Sequence, residues 1–234
     1  MRIGVTDVAK ASPSRRPRPR PRAASFSAIA AGREAPFGPL TESTLHLCID
    51  MQRLFSKDGP WRTPWMERVL PVVARIAERH PLQTVFTRFI PPVMPEQVPG
   101  MWRQYFERWR DVTRERIDPD LLRLMPPLQA LVPPAQVIDK PAYSAFSNPA
   151  LLRHLRARKV DGLIVTGTET DVCVLATVLD AIDHGYRVTV VTDAICSSSD
   201  ACHEALLTLY RERFSIQLGL AESAEILEAW PRSE

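Results

Sequence analysis

The chain has 234 residues, 45% of them hydrophobic and 24% charged, which suits one sizeable globular domain with an appended tail. Four cysteines exclude a disulfide scaffold and fit a reducing, cytoplasmic setting. No apolar run approaches the roughly 18–20 residues a membrane helix needs, so no membrane partner is expected. The net charge of +3 is lopsided: residues 1–35 carry eight basic and two acidic side chains, leaving the rest of the chain at −3. A mildly acidic body removes the main support for nucleic-acid binding.

Residues 1–36 include the run Arg15-Arg16-Pro17-Arg18-Pro19-Arg20-Pro21-Arg22. Proline removes backbone donors and restricts its neighbours, and like charges repel, so this segment is expected to be a disordered basic tail. The domain is expected over 37–234. Its first strand is predicted at Leu45–Ile49, apolar enough to be buried on both faces, and ends at Asp50. Helical spacing follows over 64–79, then a strand at 82–87. Residues 89–135 read as an insertion: nine prolines fall between 91 and 135, around a short helix near 101–112. A third strand is predicted at 136–139. The next helix covers 148–158, with Asn148 as N-cap and Pro149 at its first position.

From there the alternation is regular. A strand at 163–166 closes at Gly167, and a helix at 171–184 closes at Gly185. A strand at 187–191 that ends at Asp193, a helix at 200–210, a short strand at 215–218 and a helix at 222–230 complete the chain. Strands alternating with helices of this length predict a parallel sheet covered by helices on both faces, a three-layer α/β/α fold. Ligands in such sheets bind outside the carboxyl ends of the strands. Asp50, Lys140 and Cys173 all fall at such positions.

These three side chains form a chemically coherent set. A thiol near a helix N-terminus and a lysine is expected to lose its proton more readily than the roughly 8.5 of a free cysteine. An aspartate beside it can take that proton and return it to a leaving amine. Backbone N–H groups of Glu169 and Cys173 can face an oxyanion. Together they describe acyl transfer, most simply amide hydrolysis through a thioester. Taken singly, each residue also has an ordinary structural reading: a core cysteine, a turn aspartate, a solvated lysine.

Three ordered segments carry a resemblance: Asp50-Met51-Gln52, Lys140-Pro141-Ala142-Tyr143-Ser144-Ala145-Phe146, and Thr166-Gly167-Thr168-Glu169-Thr170-Asp171-Val172-Cys173-Val174. With Asp180–Val188 and Val191–Ala194, they resemble the isochorismatase-like cysteine hydrolases, which include nicotinamidases, N-carbamoylsarcosine amidases, ureidoacrylate amidases and biuret hydrolases. The resemblance covers about residues 42–220. It implies a six-stranded parallel sheet of order 3-2-1-4-5-6 and a catalytic triad of Asp50, Lys140 and Cys173. It further implies a non-proline cis peptide between Thr168 and Glu169 at the oxyanion hole, and a homodimer or homotetramer.

Nicotinamidases carry a metal-binding Asp-x-His after the second strand. Here that stretch reads Thr87-Arg88-Phe89-Ile90-Pro91-Pro92, so neither a metal nor nicotinamide is expected, and no cofactor. Isochorismatase proper cleaves a vinyl ether and lacks the cysteine. Arg88 is expected either to bind a substrate carboxylate or to sit in a structural ion pair. Phe55, Trp61 and Tyr143 are expected to wall the pocket. Trp102, Tyr105, Phe106 and Trp109 mark one helix face, suited to core or subunit packing or to a lid. Cys196, Cys202 and His203 fit no common zinc spacing. The expected function is a metal-free cysteine hydrolase acting on a small amide, imide or carbamoyl substrate. The alternatives are a non-catalytic oligomer and an ester or vinyl-ether hydrolase.

Overall fold

The computed structural model describes residues 39–230, so the basic tail lies outside the described residues. Six strands form one sheet: β1 (Thr44–Ile49), β2 (Thr84–Phe89), β3 (Gln136–Lys140), β4 (Gly162–Thr168), β5 (Arg187–Cys196) and β6 (Leu218–Ala221). All neighbours are parallel and the order is β3-β2-β1-β4-β5-β6. The chain therefore starts in the middle, winds outward to one edge, returns and winds to the other. The reversal lies between β1 and β4, which run in register from Thr44↔Gly162 to Ile49↔Gly167.

Side-chain alternation along β1 divides the core into two layers. Leu45, Leu47 and Ile49 pack with Leu151 and Leu155 of α4 (Pro149–Ala157), Val178 and Ala181 of α5 (Leu175–Asp183), and Leu207 and Tyr210 of α6 (Asp200–Arg213). Cys48 faces the other way. It shares a layer with Met66, Val69, Val73 and Ile76 of α1 (Met66–Arg79), Phe106 of α2 (Gly100–Arg108), and Ile226 of α7 (Ser223–Ala229). A further four-residue helix, α3 (Pro126–Gln129), belongs to the insertion.

Local signals act as their chemistry dictates. The Asn148 side chain accepts from the Ala150 N–H, capping α4, and Pro149 follows it. Gly185, at φ +82°, ends the turn after α5. The predicted elements shift in four places. Pro81–Gln83 forms a 3-10 turn, so β2 starts at Thr84 rather than at 82. The helix predicted at 171–184 opens as a π-helical turn over Thr170–Val174, and α5 follows it. β5 runs on to Cys196, past Asp193, where the predicted strand ends. The last strand lies at Leu218–Ala221 rather than 215–218, because a turn closes Gln217 N–H onto Phe214 O and leaves Ile216 in solvent.

The insertion returns to the carboxyl edge of the sheet. Met125 N–H donates to Met51 O at 2.9 Å and Arg53 N–H to Arg123 O at 3.0 Å. The buried Gln52 amide donates to Phe89 O and Leu122 O and accepts from Phe89 N–H. The loop after β1 is thereby tied to the end of β2 and to the insertion. No helix among the described residues is long and apolar enough to cross a membrane.

Candidate active site

Asp50 follows β1 with φ +48°, a left-handed conformation that aspartate tolerates better than most residues. Its side chain is fully buried, and both oxygens are engaged. Thr87 Oγ1 donates to Oδ1 at 2.7 Å, and Lys140 Nζ lies 2.7 Å from Oδ2. The same Thr87 oxygen accepts the Asp50 N–H at 3.2 Å. Lys140 ends β3 and is also fully buried; its ammonium donates to Ala142 O and Tyr143 O, both at 2.9 Å. The 141–143 loop thus curls around the cation and fixes it.

Cys173 occupies the π-helical turn after β4, buried beside Asp50 and Lys140. Thr177 Oγ1 donates to Cys173 O at 2.7 Å and accepts from Ala145 N–H at 3.0 Å, joining the Cys173 turn to the lysine's loop. Gly167 makes the approach of β4 to β1 possible. It has φ +110°, and a Cβ there would fall 2.0 Å from Ile49 O. The three residues lie together at the topological reversal, and Cys173 lines a cavity there.

The cavity has a volume of about 450 Å³ and opens over Cys173. Phe55, Trp61 and Tyr143 line it, as their places in the sequence suggested. Phe89, Tyr105 and Trp109 line it too. The α2 stripe therefore divides: Phe106 is core, while Tyr105 and Trp109 turn to the cavity, each about one ring contact from Trp61 (6.1 and 6.0 Å). Glu169 joins the wall, its carboxylate accepting from Ser198 N–H at 3.1 Å. The Thr168–Glu169 peptide is cis. One predicted binding residue stands elsewhere. Arg88 makes a bidentate pair with Asp139, its cross-strand neighbour on β3, at 2.7 and 2.9 Å, and does not line this cavity. The carboxylate it binds in this structure is the protein's own.

Burial pushes the Cys173 thiol up, Asp50 adds to the rise, and Lys140 opposes it. This reverses the lowering expected from sequence: the sulfur is too dry for the cation beside it to prevail. Burial alone would lower Lys140, but the charges of Asp50 and Cys173 outweigh it and hold the ammonium above its ordinary value. Burial also raises Glu169, against the hydrogen bonds from Ser198. Cys48 and Cys196 are buried thiols raised by desolvation, Cys196 to about 12.

The metal site of nicotinamidases has no counterpart in donor chemistry. Phe89, Ile90 and Pro91 offer no ligands after β2, and the Phe89 ring instead sits beneath the Lys140 ammonium at 5.2 Å. Among the described residues no group of three or more His, Cys, Asp or Glu side chains is placed to hold a metal ion.

Fold and site together define a doubly wound α/β protein with a buried cysteine–aspartate–lysine centre at its topological reversal. The chain belongs to the isochorismatase family, whose domain model matches residues 44–222. It is 40% identical over 70 residues to an isochorismatase family protein of Bacillus subtilis, covering 30% of this chain and 39% of that one. It is 47% identical over 58 residues to the nicotinamidase of Escherichia coli, covering 22% and 27%. These alignments span well under half the length of the curated relatives. In three dimensions it resembles a cysteine hydrolase of Pseudomonas syringae pv. phaseolicola, with TM-score 0.68 and 22% identity over 83% of this chain and 93% of that one.

Proposed function

We propose that this protein is a cysteine hydrolase that cleaves a C–N bond in a small amide, imide or carbamoyl compound through a thioester on Cys173. The carrying observation is the buried Asp50–Lys140 pair beside Cys173, which itself lines an aromatic cavity. The nicotinamidase among its relatives acts on an amide, which agrees with this reading. Nicotinamide itself is a poor candidate, since the metal-binding residues of that branch are replaced by Phe89, Ile90 and Pro91.

Asp50 takes the Cys173 proton as the sulfur attacks the carbonyl carbon, and the carbonyl electron pair moves onto oxygen. The backbone N–H groups of Glu169 and Cys173 receive that oxyanion. As the C=O bond re-forms, the C–N bond breaks and the amine leaves with the proton from Asp50. Water then attacks the thioester and gives a proton to Asp50. The C–S bond breaks, and the thiolate takes the proton back. Lys140 stays charged throughout and steadies each anion in turn. The aromatic walls exclude bulk water, which strengthens these interactions.

The test is mass spectrometry of the enzyme mixed with a panel of small amides, carbamoyl compounds and esters, with ammonia release measured in parallel. An acyl adduct on the Cys173 peptide, lost in folded Cys173→Ala, is the expected result. An adduct confined to Cys196 or Cys202 refutes the assignment. Turnover of esters without ammonia release would place the activity in the ester-hydrolase class instead.

A further inference from the structure

The contact between β2 and Asp50 carries a role that the three motifs leave out. Thr87 is fully buried in β2, between Phe86 and Arg88, and spends both its hydrogen-bonding functions on one neighbour. Its hydroxyl donates to Asp50 Oδ1 at 2.7 Å, and its oxygen accepts the Asp50 N–H at 3.2 Å. A hydroxyl has one proton, and here that proton is committed to the carboxylate. Oδ1 is thereby occupied, and Oδ2 is the oxygen beside Lys140. Asp50 sits at φ +48°, where its backbone alone does not fix the carboxylate plane.

We propose that Thr87 is a positioning residue for this centre: it fixes the Asp50 carboxylate with Oδ2 toward Lys140 and stabilises its charge. The proposal rests on the cysteine-hydrolase reading above. A hydrogen bond donated to a carboxylate stabilises its charged form, so removing the donor makes the carboxylate hold a proton at higher pH. The charged and titratable groups facing Asp50 are Lys140 from β3, Cys173 from the π-helical turn and Cys48 from β1 itself. Thr87→Val alters none of them. It keeps the shape of the side chain and deletes the donor.

The experiment is the pH profile of iodoacetamide alkylation at Cys173, read by peptide mass spectrometry on the full-length protein. The profile is taken for the unmodified sequence, Thr87→Val and Thr87→Ser, each checked for folding by circular dichroism. The acid limb is expected to move up by about one pH unit in Thr87→Val. It should return to the original position in Thr87→Ser, which restores the hydroxyl. A purely structural threonine would lower stability without moving the limb. An unmoved limb in folded Thr87→Val, or one displaced equally in Thr87→Ser, overturns the proposal while leaving the hydrolase reading standing. If the unmodified protein shows no alkylation at Cys173 faster than at the exposed Cys202, the hydrolase reading fails and takes this proposal with it. Should Thr87→Val not fold, Thr87→Cys keeps a weak donor at the same place, and a smaller upward shift is expected; no shift there overturns the proposal equally.

Discussion

Lys140→Met offers a quantitative test of how the centre is held. The ammonium and the Asp50 carboxylate are both fully buried and 2.7 Å apart. Two further ammonium hydrogen bonds tie down Ala142 O and Tyr143 O. Methionine fills similar space but leaves the carboxylate without its counter-charge, in a region that water does not reach. Breaking a buried pair from one side costs about 3–5 kcal/mol. In a domain of this size that lowers Tm by on the order of 10 °C. Urea unfolding followed by circular dichroism measures the loss. Asp50→Asn with Lys140→Met removes both charges and should unfold at higher urea than Lys140→Met alone. The pH dependence has a definite sign. The folded lysine value is raised above the unfolded one, so the stability it contributes is complete below about pH 10.4 and fades as pH rises through the folded value. The gap between the two proteins should therefore stay level from pH 7 to 9 and close in alkali. A loss under about 1 kcal/mol for Lys140→Met, or a double variant no better than the sum of the singles, would refute the buried-pair reasoning.

Three other outcomes follow from single residues. Gly167→Ala must place a Cβ 2.0 Å from Ile49 O at φ +110°, so thermal denaturation should show a loss of about 3 kcal/mol or more, or no folded protein. His46 is buried between Thr84 and Thr166, and desolvation, with His80 nearby, lowers it to about 3. Its ring should stay neutral by NMR down to pH 4. Because the folded value lies below the unfolded 6.5, its contribution is complete above that pH and is lost on acidification toward 3, at about 1.4 kcal/mol per unit. Asn148→Ala removes the side-chain acceptor of the Ala150 N–H and should cost about 1 kcal/mol in urea titration.

The order of strands and helices could be read from the chain because a parallel sheet writes its pattern locally: buried apolar runs, caps and glycines such as Asn148 and Gly185. Asp50, Lys140 and Cys173 could be placed together for the same reason, since all three lie at carboxyl ends of strands in such a sheet. What depends on register was harder to see. Arg88 and Asp139 are cross-strand neighbours on β2 and β3, a fact of alignment between segments about fifty residues apart in the chain. Sequence therefore left open whether the arginine faced a substrate or a partner. The role of α2 was hidden likewise. A periodic aromatic face says that a surface is covered, but only the path of the insertion shows that Phe106 goes to the core while Tyr105 and Trp109 turn toward the sulfur. Thr87 gave no signal of its own: β2 also carries Thr84 and Arg88, and only its place beside Asp50 in the folded sheet marks it out.

The disagreement over the Cys173 proton has a mechanistic consequence. A helix terminus and a neighbouring lysine suggest a resting thiolate, but burial drives the thiol the other way, and the Asp50 charge adds to the rise. Burial therefore favours the thiol over the thiolate. Under the proposed mechanism, reactivity then depends on a base beside the thiol rather than on a standing anion. Asp50 holds that place, with its second oxygen bound by Thr87 and its charge matched by Lys140. The buried ammonium does too little to offset the drying of the thiol. In the proposed mechanism it keeps one positive charge beside the centre while negative charge moves from carboxylate to sulfur to substrate oxygen. Under the proposed mechanism, Cys173 reacts with iodoacetamide and with a bound amide alike by passing its proton to Asp50, so Asp50→Asn should slow both. A thiolate absorbance near 240 nm in the resting protein at pH 7, absent from Cys173→Ala, would contradict this account.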